Sequence, residues 1–205
     1  MFAAIRKELG QHLPFTFIGG ITGIIIMFFS RTMEREAAHT IFYILHPTHV
    51  FLSALVTASL YARYKQKQEK KKPSLPLLLV IGYCGAIGIA TLSDSLIPYV
   101  GEIMLKMPGA HHHIGFIEKW WLINPVAILG IIAAYRFHNT QFPHAGHVFI
   151  STWASLFHII MAKGEGLDLL SYVIIFIFLV LSVWLPCCVS DIIFPLLFVR
   201  QRPRQ

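Results

Sequence analysis

Apolar residues run along this chain in six long blocks, at positions 13–30, 39–62, 75–100, 120–137, 143–162 and 168–199, with short polar segments between them. An α-helix needs about 20 mainly apolar residues to cross the hydrocarbon core of a bilayer, and each block approaches or exceeds that length. Barrel strands would be shorter and would alternate apolar with polar positions. The pattern predicts an all-α, polytopic membrane protein with six transmembrane helices. Arg6 and Lys7 before the first block resemble the start of a secretory signal. No small-residue cleavage site follows Phe29, which predicts that the first span is retained.

The blocks are related in pairs. His46, His49, Val50, Phe51 and Ser53 recur as His144, His147, Val148, Phe149 and Ser151 at a constant offset of 98. Ser93, Asp94 and Pro98 recur as Ser190, Asp191 and Pro195 at an offset of 97, and His39 pairs with His138 at 99. Identities in separated blocks, in one order and at nearly one offset, indicate duplication. Residues 1–105 and 106–205 then form two three-helix repeats of one membrane domain. Three spans per copy is odd, so the second copy enters the membrane from the opposite side. That inverted repeat is a ground plan of secondary transporters.

The duplicated polar residues form stripes. At ~100° per residue, His39, His46, His49, Ser53 and Thr57 fall within an arc of about 80°. His144, His147, Ser151 and His158 fall within a similar one. A polar stripe facing lipid is costly, so both stripes should face the bundle interior or a wet cavity. Asp94 and Asp191 are deeply placed in the third and sixth blocks, and an aspartate at a span centre costs about 2.5–3.5 kcal/mol on insertion scales. Neither block offers an internal Lys or Arg, which leaves histidines or a bound cation as partners.

Depth along the spans sorts these groups into an outer set, His46, His49, Asp94 and His158, and an inner set, His144, His147 and Asp191. Ser53, Ser93, Ser151 and Ser190, with His39 and His138, are secondary candidates. Two imidazoles at i, i+3 with a carboxylate on a neighbouring helix suit a divalent zinc, manganese, iron or nickel ion. Imidazoles also exchange protons between pH 5 and 8, so protons are a candidate coupling ion. The expected function is transport of a divalent metal ion.

Two other classes use similar residues. Alkaline ceramidases and their relatives combine Ser, Asp and three His around zinc in a helical bundle; this chain is similar to them in residue types alone. An intramembrane zinc hydrolase acting on a lipid amide or ester needs one open site, whereas this chain duplicates its set. A b-type haem carrier needs axial histidines from two facing helices, whereas here they cluster at i, i+3 on one.

Composition and charge refine the picture. The 205 residues are 56% apolar and 13% charged, with a mean hydropathy of +0.64; soluble domains carry about 25% charged residues. That excludes an ordinary soluble enzyme and a disordered chain. The net charge of +7 comes without a basic-aromatic patch, so the expected partners are the lipid bilayer, the metal ion and protons, with no nucleic acid. Arg6, Lys7, Arg136, the basic residues of 63–72 and those of 200–204 make twelve of the seventeen Lys and Arg. If they lie inside, Arg31, Arg35, Lys106, Lys119 and Lys163 are outside. The bias predicts a cell (inner) membrane protein with both termini cytoplasmic. At 23.2 kDa one chain has little room to enclose a path, which makes a homodimer a candidate assembly.

Three cysteines are too few and too unevenly placed for a disulfide framework. His111, His112 and His113 suit gathering metal or form an ordinary solvated cluster; Cys187 and Cys188 suit a soft metal or pack as small hydrophobes. Both pairs of readings stay open. Pro98, Pro186 and Pro195 near the aspartates should interrupt their helices.

Overall fold

The computed structural model describes residues 2–70, 73–136, 141–164, 166–188 and 193–199; side chains at 2–9, 11–12, 141–145 and 188 are outside that description. The described residues are helical, without strands. The first helix, α1, covers Phe2–Phe29 and the second, α2, Arg35–Glu69. The latter's 35 residues extend it to roughly 52 Å at 1.5 Å per residue, well beyond a hydrocarbon core. It stops where Lys70 turns left-handed at φ 54° and donates its N–H to the Gln66 carbonyl.

Next comes α3, Leu75–Thr91, which runs into a wide turn at Leu92–Leu96 and then α4, Ile97–Met104. In the wide turn the Ile97 N–H reaches back five residues to the Leu92 carbonyl. Such an inserted residue changes the azimuth of its neighbours. Ser93, Asp94 and Ser95, three consecutive polar residues, are all fully buried. Pro98 takes the first turn of α4, where its missing N–H is tolerated. A single turn, α5 (Gly115–Glu118), precedes α6 (Trp120–Arg136); α7 (Gln141–Ala162), α8 (Leu169–Cys188) and α9 (Phe194–Leu197) follow. Pro195 holds the same place in α9 that Pro98 holds in α4.

At the centre α2 packs along α7. Helices α3 and α6 lie against α2 and against each other; α1 and α8 lie against α7 and against each other. One apolar cluster joins Met27, Phe42, Leu156 and Leu179 of α1, α2, α7 and α8. A second joins Ala54, Tyr61, Ile81 and Ile131 of α2, α3 and α6. Glycines set the closest approaches. A Cβ on Gly130 would stand 2.5 Å from the Phe51 carbonyl oxygen and 2.9 Å from the Ala54 Cβ, so α6 meets the α2 backbone directly. On α1, a Cβ on Gly19 would stand 3.0 Å from Thr152 Oγ1 of α7.

Three helical stretches are long and apolar enough to cross a membrane: Arg35–Glu69, Leu75–Met104 and Leu169–Cys187. Leu13–Phe29, Trp120–Arg136 and Gly146–Ala162 are shorter apolar helices. Large apolar side chains stand exposed on the outside, among them Phe29, Ile44, Trp120 and Leu129. Apolar surface on this scale marks a protein that associates with a membrane.

Polar contacts tie the helix ends. The Lys163 ammonium donates to the carbonyls of Ser30 and Arg31, just past the C-terminus of α1, where a cation complements the helix dipole; burial pushes its pKa down. At the start of α8, Asp168 Oδ1 accepts the Ser171 backbone N–H at 2.9 Å and its hydroxyl. Those bonds favour the charged carboxylate and lower its pKa. A depressed folded-state pKa stabilises above the unfolded value, about 3.9, and the gain is lost as the pH falls through the folded value. Asp168→Asn is therefore expected to melt slightly earlier than wild type at pH 7 in detergent, with the two curves converging in acid. A gap that widens in acid would contradict this capping role.

Candidate metal centre

The centre of the bundle is built around Asp94, which the wide turn carries between α2 and α7 with no solvent exposure. Spacing of i, i+3 puts His46 and His49 on one face of α2, and both reach the same carboxylate oxygen. Nδ1 of His46 lies 2.9 Å from Asp94 Oδ2 and Nδ1 of His49 lies 2.8 Å from it. The other oxygen, Oδ1, accepts the hydroxyls of Ser93 at 2.7 Å and Ser151 at 2.9 Å. Four donors thus satisfy one buried acid, which offsets its desolvation.

Because each imidazole donates through Nδ1, its lone pair sits on Nε2. The Nε2 of His46 faces the Gly115 backbone, so closely that a Cβ on Gly115 would stand 2.6 Å from it. The Nε2 of His49 is buried and makes no hydrogen bond. A histidine whose second nitrogen is held by a carboxylate is the usual arrangement of a metal ligand.

One face of α7 continues the polar path. His147 stacks parallel to His49 with ring centroids 5.9 Å apart and an interplanar angle of 2°. Ser151 reaches Asp94, and Ser155 donates to the carbonyls of Ser93 and Ser151 at 2.8 and 2.9 Å. Farther along, His158 Nδ1 lies 2.6 Å from Glu102 Oε1, both groups buried. One ring nitrogen each of His49 and His147 and the Cys187 sulfur lie within 4.8 Å of one another.

At the loop end of the bundle, His113 sits 5.4 Å from His158, 6.0 Å from His39 and 5.0 Å from His111, ring to ring. Its Nδ1 contacts Glu118, which also accepts the Tyr43 hydroxyl at 2.8 Å and the Ile114 N–H at 3.0 Å. Burial pushes the His113 pKa down against the pull of Glu118. Burial raises the Glu118 pKa, but the hydrogen bonds from Tyr43, His113 and Ile114 outweigh it and the net shift is downward.

The residues singled out by sequence are thus distributed as follows. His46, His49, Ser93, Ser151 and Asp94 meet directly, and His147 stacks on His49. His158 bonds Glu102 rather than Asp94, and His39 belongs to the loop-end cluster around His113. Ser53 is buried on the α2 stripe. The His144 side chain, and His138, Ser190 and Asp191 entirely, fall outside the described residues. Glu102 was missed because it lies two positions past the apolar block ending at 100. Its signal was available: an acid on the helix that carries Asp94.

No protein-family model matches this chain, and no curated protein or solved structure matches it.

Proposed function

We propose that this protein carries a divalent metal ion across the cell membrane, through six spans arranged as two inverted three-helix repeats. The observation that carries the proposal is the buried Asp94 carboxylate with two imidazoles on one oxygen, leaving the His49 Nε2 lone pair uncommitted. Stripes of His and Ser continue from this centre along α7 toward the loop end, as a hydrated ion path requires.

Packing supports the repeat. Exchanging α1, α2 and α3 for α6, α7 and α8 maps the neighbours of each helix onto those of its counterpart. Gly130 faces Ala54 and Gly19 faces Thr152, and positions 54 and 152 are themselves related by the offset of 98. With three spans per half, the two copies run in opposite senses, and the Lys/Arg bias favours both termini on the cytoplasmic side. Imidazoles vacated by the ion would take protons, making protons the natural counter-ion.

The test is ion entry into proteoliposomes loaded with a metal-sensitive dye. Wild type is expected to admit Zn²⁺ faster than protein-free vesicles, and Asp94→Ala combined with Asp191→Ala to fall to that background. Equal rates for wild type and the double variant would remove the proposal. Release of a fatty acid from vesicle lipid, without ion entry, would favour the hydrolase.

A further inference from the structure

We infer that the ion is held by a thiolate-containing set, His49, His147 and Cys187, and that Asp94 orients a ligand instead of being one. This inference rests on the metal-carrier reading and narrows its substrate to soft or borderline cations such as Zn²⁺, Cd²⁺ and Co²⁺. Three ligand atoms from three helices (α2, α7 and α8) come within 4.8 Å of one another at a fully buried point. Independently, His49 Nε2 is buried and without a hydrogen bond, while its Nδ1 is held by Asp94. Zn–N bonds of about 2.0–2.1 Å and a Zn–S bond of about 2.3 Å place tetrahedral ligand atoms roughly 3.3–3.7 Å apart. Closing on an ion therefore asks for about 1 Å of side-chain movement.

Cys187 follows Pro186 on α8 and is itself buried. Metal binding converts the Cys187 thiol to thiolate and releases its proton to the medium, while the two imidazoles coordinate as neutral groups. Three protein ligands leave a fourth position open, which lets the ion be passed on. A thiolate disfavours Mg²⁺ and Mn²⁺, which prefer oxygen donors. Asp94, with both oxygens occupied by four donors, has no lone pair directed at the same point without surrendering one of those bonds.

The experiment is a Co²⁺ titration of the full chain in detergent micelles, read by absorption. Tetrahedral visible bands and a near-ultraviolet sulfur-to-cobalt charge-transfer band are expected, abolished by equimolar Zn²⁺ and unaffected by the same concentration of Mn²⁺. Cys187→Ala and the near-isosteric Cys187→Ser should both lose the charge-transfer band and weaken Co²⁺ binding at least about tenfold. Cys84→Ala and Cys188→Ala should retain it. A wild-type protein that binds no Co²⁺, binds it without the band, or keeps the band in both folded Cys187 variants overturns the inference. Vesicle uptake separates the two proposals. A thiolate band without ion entry defeats the carrier alone; ion entry that persists in Cys187→Ser, without any band, defeats the thiolate site alone.

Discussion

Asp94→Asn is expected to lower the affinity for Zn²⁺ by about 10–100-fold, the usual cost of losing a carboxylate behind a metal-bound histidine. That range corresponds to about 1.4–2.7 kcal/mol. Asparagine keeps the volume and can turn its carbonyl oxygen toward His46 and His49 and its amide toward Ser93 and Ser151, whose hydroxyls then accept. Every buried group retains a partner, so the helical signal and a monodisperse elution profile should persist. What disappears is the charge that fixes the His49 tautomer and raises the basicity of Nε2. Asp94→Ala, by contrast, strands two imidazole N–H groups in a buried space and leaves Ser93 and Ser151 their longer contacts, to the Ala90 carbonyl at 3.5 Å and to each other at 3.3 Å. Each unsatisfied donor costs about 1–3 kcal/mol, so that variant should lose stability as well as affinity. Isothermal titration of the folded Asn variant is the decisive measurement. Unchanged affinity would mean that Asp94 does no more than hold the bundle together.

Gly130→Ala is expected to destabilise the protein by about 1–3 kcal/mol, the range for overpacking a close contact. Its new Cβ meets a backbone oxygen, Phe51 O, at 2.5 Å, and α6 must move away from α2 to relieve it. Gly19→Ala should be milder, since the contact is the Thr152 side chain at 3.0 Å, which can rotate. Gly88→Ala has nothing within 4 Å of its Cβ and should gain about 0.5–1 kcal/mol from helix propensity alone. Thermal unfolding in detergent should rank the three with Gly130→Ala lowest and Gly88→Ala highest. A Gly130→Ala protein as stable as Gly88→Ala would contradict the close packing of α6 on α2.

Much of the architecture was readable without coordinates. A block of apolar residues has no choice but to fold as a helix in lipid, where backbone groups find no water, and helical periodicity turns spacing into azimuth. Thus the shared face of His46, His49 and Ser53, the second stripe of His147, Ser151 and His158, and the depth of Asp94 follow from one-dimensional pattern. The block at 168–199 carries α8 and α9, with Pro186 inside the first and Pro195 in the first turn of the second.

Partner choice was not legible, because azimuth on one helix says nothing about the axial offset of the next. Ser151, from the second stripe, crosses to Asp94 of the first half, while His158 slides past to Glu102. The inserted residue in the wide turn buries Ser93, Asp94 and Ser95 together, a grouping that 100° spacing would scatter. Cys187 comes beside His49 and His147 only through the packing of α8 on α7. The primary structure by itself determined which residues of α2 and of α7 share a polar face, since the helix period fixes azimuth along one helix. Only the tertiary structure decided which of them touch, because that depends on helix register, and register is set by the glycine contacts and packed side chains of all the helices at once.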